Sequence, residues 1–107
     1  MNKESNHLLD GIRVIDAASF IAGPTAATIM SDFGAEVIKI EPQSGDSLRN
    51  LIVNGRMPEG KENYCWELTS RNKKSISLNL KDDVAHKILV DLIKSADVFI
   101  TNMPFPI

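Results

Sequence analysis

The chain has 107 residues, enough for one domain that buries roughly 65% of its unfolded surface. Hydrophobic residues make up 43% and charged residues 24%, which argues against disorder, and a formal net charge of −2 gives no general attraction for nucleic acid or an anionic membrane. The single cysteine, Cys65, excludes an internal disulfide framework, and no apolar run is long enough to span a bilayer.

The N-terminus, MNKESNHLLDG, lacks the apolar core of a secretory signal, so cytoplasm is the expected compartment. Met1 to His7 is polar and expected to fray, with Leu8 and Leu9 tucking against the sheet. Ile12, Val14 and Ile15 form a β-branched run ending at Asp16, with Arg13 facing outward or lying at an edge. Gly23-Pro24 marks a helix start, because proline costs no hydrogen bond at the first helical position. The helix is expected over Pro24–Phe33, with Ile29, Met30 and Phe33 as its apolar face, and Gly34 fits a left-handed stop. Asp32 in its last turn opposes the helix dipole, a choice the sequence does not explain. Glu36 to Ile40 is a second β-branched run, closed by Glu41-Pro42.

Two strands joined through a helix are expected to be parallel, with a right-handed crossover. The loop Asp16 to Gly23 then lies at the carboxyl edge of the sheet, where open α/β folds bind ligands. Gln43 to Gly60 is punctuated by Gly45, Gly55, Pro58 and Gly60 and reads as a long connection, with a short helix around Asp46 to Ile52. Lys74 to Leu80 alternates as a half-buried strand. Asp82 to Ser95 is the clearest helix: Val84, Ile88 and Leu92 form one row, and Ala85, Leu89 and Ile93 lie beside it. Asp97 to Thr101 is a further strand. The order is β-α-β-loop-β-α-β, an α/β domain with a mainly parallel sheet and flanking helices. The segment TNMPFPI ends on apolar residues directly after that strand, as expected of one portion of a longer protein.

The first loop, DAASFIAGP, has one glycine, and Phe20 and Ile21 occupy the approach. The G-x-G-x-x-G pattern that lets a pyrophosphate meet bare backbone is absent, and so are a P-loop and a G-x-S-x-G elbow. Two histidines, His7 and His86, and one cysteine show no metal-ligand spacing. His86 reads as a surface residue and Cys65 as a packed thiol. Asp16 either works at the ligand edge or caps a turn through its own carboxylate. Glu41 stands where a dinucleotide fold grips ribose, but without the accompanying glycines. Arg71, Lys73 and Lys74, with Lys81 beyond the next strand, form either a phosphate-holding patch or a solvated face.

The run LLDGIRVIDAASFIAGPTAATIMSDFGAEVIKIEPQSGDSLRN resembles the start of a class III CoA-transferase of the CaiB/BaiF family, the group that includes formyl-CoA transferase, carnitine CoA-transferase and α-methylacyl-CoA racemase. NKKSISLNLK and ADVFITNMPF resemble two further family blocks, in family order, although Met103-Pro104-Phe105 departs from the usual aromatic-Arg-Pro. The resemblance implies that residues 1–107 are an N-terminal Rossmann-like CoA-binding portion of a longer subunit, and that two such subunits interlock as a homodimer. It implies acyl-CoA and a carboxylic acid as substrates, with no permanently bound cofactor or metal and no nucleic-acid or membrane partner.

Carried over by position, Ile21 and Ala22 line the CoA site, Leu78, Asn79, Leu80 and Lys81 contact the adenosine end, and Asn102 and Met103 lie near the pantetheine or pyrophosphate. The walls offered by Phe20, Ile21 and Ala22 suit a long thin pantetheine better than bare glycine backbone does. Lys81, and then Lys73 and Lys74, become candidates for phosphate contact, whereas Pro42 stands where some members carry a nucleotide-binding arginine. Family transferases attack the thioester with an aspartate, passing through an anhydride and an aspartyl-CoA thioester. That aspartate is expected beyond Ile107, which leaves Asp16 as a turn residue. SFIAGP, NKKSISLNLK and ADVFITN look most like the branch acting on phenyllactate or 2-hydroxyisocaproate. The alternatives are an acyl-CoA racemase of the same family and a non-catalytic binding or assembly module.

Overall fold

The computed structural model describes residues 7–52, 54–56, 58 and 60–104. The expected fraying of Met1–Asn6 and the place of Phe105 in the last family-like block lie outside them. The elements are β1 (Arg13–Ala17), α1 (Ala22–Asp32), β2 (Glu36–Glu41), α2 (Tyr64–Thr69), β3 (Lys73–Ser77), α3 (Asp83–Lys94) and β4 (Val98–Thr101). The four strands form one sheet in the order β3-β2-β1-β4, and every pairing is parallel. The register sets Asp16 beside Lys39 and Ile100, and Glu41 beside Ser77.

The chain steps outward from β1 to β2 to β3, then returns past both to place β4 on the far side of β1. Crossovers of one hand running in opposite directions put their helices on opposite faces. Val14, Val37, Ala27 and Ala35 accordingly form the core under α1, while Ile15, Ala17, Ile40, Leu78, Ala85 and Leu89 form the core under α3. Val14, Ile15 and Val37 are no more than 1% exposed, and full burial of such side chains stabilises by roughly 1.5–3 kcal/mol each. Among the described residues, no helix is long and apolar enough to cross a membrane.

Several expectations shift. Helix α1 begins at Ala22, so Pro24 is its third residue, still within the turn whose N–H groups need no intrahelical partner. Its buried face is Pro24, Ala27, Thr28 and Ser31, whereas Ile29 and Phe33 are each half exposed. Small residues let the helix approach closely. Thr28 donates to Pro24 O and Thr69 O, and Ser31 donates to Thr28 O. A side chain at Gly23 would lie 2.6 Å from Ala18 Cβ. Gly34 has φ +106° and an added Cβ there would meet Asp10 at 2.5 Å, so the left-handed stop stands. Asp32 is explained by Arg71, whose guanidinium holds its two carboxylate oxygens at 2.6 and 3.1 Å and holds its ionisation below the ordinary carboxylate range.

Leu9 packs on the α1 core, but Leu8 is exposed. The stretch after Asp46 makes successive turns without becoming a helix, and α2 forms where none was expected. Strand β3 ends at Ser77 because its neighbour β2 ends opposite at Glu41. Leu78 N–H still donates to Glu41 O at 2.9 Å. On α3 the row Ala85–Leu89 is buried, with Leu92 and Ile93 packed beside it. Val84 and Ile88 of the other row are exposed, as is His86.

Candidate CoA-binding cleft

The period-2 pattern turns four charged residues of the sheet toward α1: Asp16 on β1, Lys39 and Glu41 on β2, and Lys73 at the amino end of β3. Asp16 is fully buried and does two jobs. Its Oδ1 accepts the Ala18 N–H at 3.1 Å, the turn contact expected of it, and its Oδ2 pairs with Lys73 Nζ at 2.8 Å and Lys39 Nζ at 3.6 Å. Lys39 Nζ donates to Ala18 O at 2.7 Å and lies 3.5 Å from Asp46 Oδ1. Lys73 also donates to Pro24 O, at 2.8 Å. Burial pushes its ammonium below the ordinary lysine range, against the pull of Asp16. Such charges persist in a low-dielectric interior only because they are paired and hydrogen-bonded.

Three consecutive residues leave β1 under close control. The Ala18 peptide is gripped by Asp16 and Lys39. The Ser19 peptide is gripped on both sides by the Asn102 amide, which accepts its N–H at 3.0 Å and donates to its carbonyl at 2.8 Å. Phe20 follows at φ +71°, a left-handed conformation that is strained for a bulky side chain and persists only where neighbours impose it. Its N–H faces Asp46 Oδ2 at 3.5 Å.

The connection after β2 is organised by Glu41. This carboxylate accepts from Arg49 Nε at 2.9 Å and Nη2 at 2.8 Å, from the Asp46 N–H at 2.9 Å and from the Ser75 hydroxyl. Burial opposes its ionisation, but the bonds from Arg49, Ser75 and the Asp46 backbone outweigh it and hold the carboxyl at about 2. Arg49 lies 4.0 Å over the Trp66 ring, a cation–π contact that packs the long connection against α2. Glu41 is therefore an internal anchor and unavailable to grip ribose. Asp46 Oδ2 accepts the Leu48 N–H at 2.9 Å.

After β3, Asn79 Oδ1 accepts the Lys81 N–H at 3.2 Å and Asn79 O accepts the Asp82 N–H at 2.9 Å, a tight turn leading into α3. These loops surround an open cleft of about 650 Å³. One wall is Ala17–Ser19, another runs through Pro42 and Asp46, and the third is Leu78, Asn79, Leu80 and Lys81, with Met103 at the β4 side. Five of the eight expected contact residues thus come together.

Ile21, Ala22 and Asn102 do not line this cleft. The left-handed step at Phe20 is followed by Ile21 as the N-cap of α1, so Ile21 and Ala22 are exposed. Asn102 spends its amide on Ser19. Phe20 borders a neighbouring polar hollow of about 510 Å³ with Arg56 and Asn54. The basic group that leads into and opens β3 is ion-paired. Arg71 is held by Asp32, Lys73 by Asp16 and Lys74 by Glu36 at 2.8 Å. Sequence reasoning missed Lys39, Asp46 and Arg49. A charged residue inside a β-branched run, VIKIE, was the available signal for Lys39. Among the described residues no cluster of three or more His, Cys, Asp and Glu side chains is placed to hold a metal ion.

The model of CoA-transferase family III matches residues 9–106. The chain is 43% identical over 97 residues to the (R)-2-hydroxy-4-methylpentanoate CoA-transferase of Clostridioides difficile, covering 90% of this chain and 24% of that protein. It is 42% identical over 101 residues to the cinnamoyl-CoA:phenyllactate CoA-transferase of Clostridium sporogenes, covering 94% and 24%. A CaiB/BaiF family protein from Brucella suis superposes with a TM-score of 0.81 at 28% identity, over 92% of this chain and 26% of that one. The chain spans about a quarter of the length of the curated relatives it matches. With a family match running through all four strands and the same fold in a solved CaiB/BaiF structure, this chain belongs to CoA-transferase family III.

Proposed function

We propose that the polypeptide carrying this sequence transfers CoA between an acyl-CoA and a carboxylic acid, and that residues 1–107 are its N-terminal CoA-binding portion. The observation that carries the reading is the cleft at the carboxyl edge, where Leu78, Asn79, Leu80, Lys81 and Met103 converge. Aliphatic walls suit adenine and pantetheine, and exposed Lys81, which makes no ion pair among the described residues, is the phosphate partner. Asn102 serves the same site indirectly, by fixing Ser19, and Ile21 and Ala22 stand just beyond it on the chain.

The nucleophilic aspartate belongs outside these residues. Asp16 and Asp46 are at most 2% exposed and committed to lysines and backbone N–H groups, so neither can reach a thioester. The carboxylic acid is a 2-hydroxy acid, the class of the 2-hydroxy-4-methylpentanoate and phenyllactate in the names of those two relatives. The active form is a cytoplasmic homodimer.

Calorimetric titration of the intact polypeptide with CoA tests the reading. Lys81→Ala is expected to weaken binding roughly tenfold, the loss of one charge-assisted contact. Lys87→Ala is expected to change it by less than about twofold, because that side chain only pairs with Asp91 on the outer surface of α3, at 3.4 Å. Equal effects would remove Lys81 from the site. Exchange of an α-proton without CoA transfer would point to racemase chemistry instead.

A further inference from the structure

Beneath the cleft lies a cluster of four charges, two lysines and two aspartates, whose side chains are at most 2% exposed. We propose that Lys39 is a positioning residue for CoA: its ammonium cross-links two walls of the cleft and sets their separation. The inference rests on the CoA reading of the cleft and deepens it.

Lys39 is 1% exposed at the centre of the sheet, on β2. Its Nζ reaches Ala18 O at 2.7 Å in one wall and Asp46 Oδ1 at 3.5 Å in the other. Both Ala18 and Asp46 border the cleft. The Ala18 peptide is thereby held at both ends, its N–H by Asp16 and its carbonyl by Lys39. The second oxygen of Asp46 fixes the Leu48 N–H and faces the Phe20 N–H, so a displaced Asp46 carries both loops with it. Without the lysine, the buried Asp46 carboxylate loses its ion pair and is favoured to move toward water. Asp46 borders the open cleft, so such a movement distorts its wall.

A buried ion pair is weak grounds for a gain in stability, so the geometric role is separable from a merely structural one. Lys73 supplies the comparison. Its side chain is 2% exposed and it also pairs with Asp16. Its other bond goes to Pro24 O in α1, and it touches neither Ala18 nor Asp46. Removing either lysine leaves a comparable defect in the interior, but only Lys39 ties the walls.

The test uses the intact polypeptide in three variants, Lys39→Met, Lys73→Met and Asp46→Asn, with CoA titration, denaturant unfolding and amide hydrogen exchange on each. Both methionine variants are expected to unfold at lower denaturant. Lys39→Met weakens CoA about tenfold or more and Lys73→Met by less than about twofold, a difference between related complexes that appears mainly in dissociation. Exchange at the Phe20 and Leu48 amides accelerates in Lys39→Met and not in Lys73→Met. Asp46→Asn keeps an acceptor for the Leu48 N–H while losing the charge. It is expected to fold and to weaken CoA in the same direction, and it decides the matter if Lys39→Met does not fold.

Equal affinity losses in the two lysine variants would overturn the inference, as would unchanged affinity in both Lys39→Met and Asp46→Asn. If the unmodified polypeptide binds no CoA, the functional reading fails, and exchange at Phe20 and Leu48 still decides whether Lys39 holds the walls.

Discussion

Replacing Asp16 with alanine is expected to lower the unfolding free energy by about 3–5 kcal/mol, the cost of breaking a buried ion pair from one side. Asp16 is fully buried and faces two lysine ammonium groups; without it Lys39 keeps Asp46 as an ion-pair partner, and Lys73 loses the carboxylate it is paired with. The Ala18 N–H loses its acceptor as well. A domain of this size has a stability of only about 5–15 kcal/mol, so the variant retains a small margin or none. Asp16→Asn keeps the turn contact and loses only the charge, and it should fall between the two. Urea unfolding at neutral pH measures all three proteins. A loss below about 1 kcal/mol for the alanine variant would show that water or rearrangement compensates the lysines, contrary to the burial seen here.

The second large effect concerns Glu41 and acid. Its carboxyl is held at about 2 in the folded chain against an ordinary value of 4.5. Above 4.5 both folded and unfolded chains carry the charge, and the full stabilisation of about 3 kcal/mol is present. As pH falls from about 4.5 toward about 2 the unfolded chain takes up a proton that the folded chain refuses, and this contribution disappears. Glu41→Gln is therefore expected to be about 3 kcal/mol less stable at neutral pH and to converge on the parent at the acid end. Asp32 and Glu36 are also held below the ordinary range, by Arg71 and by Lys74 and Arg13. Those pairs are exposed, so their share of the acid sensitivity is small and fades with added salt. An unchanged slope of stability against pH in Glu41→Gln would refute the anchoring role.

Much of the architecture was legible because period and punctuation agree with it. The β-branched runs around Val14 and Val37, the row through Ala85 and Leu89, and the glycine at position 34 each point to the element that forms. Helix α2 was not legible: six residues, YCWELT, give too short a window for a helical period, and its N-cap Asn63 makes no side-chain capping bond. The face of α1 was misread because hydrophobicity favours Ile29 and Phe33, whereas close packing favours Ala27, Thr28 and Ser31. At the site, Leu78 to Lys81 were indicated by the resemblance of NKKSISLNLK to a family block, while alternation alone carried the strand on to Leu80, past its end at Ser77. The charges under the cleft were not, since their partners are set by the register of non-adjacent segments: Lys73 meets Asp16 across 57 positions. The same register turned an apparent basic patch into one buried ion pair, Lys73 with Asp16, and two exposed ones, Arg71 with Asp32 and Lys74 with Glu36.

The pair of hydrogen bonds between the Ser19 backbone and the Asn102 amide joins positions 83 residues apart. It ties the first strand's exit to the last strand's exit. During synthesis, the loop that opens the cleft is made early, but its clamp arrives only when β4 has emerged and docked beside β1. Closing so long a loop is entropically costly and is repaid by contacts formed at the end. The cleft is therefore complete only once β4 has docked beside β1.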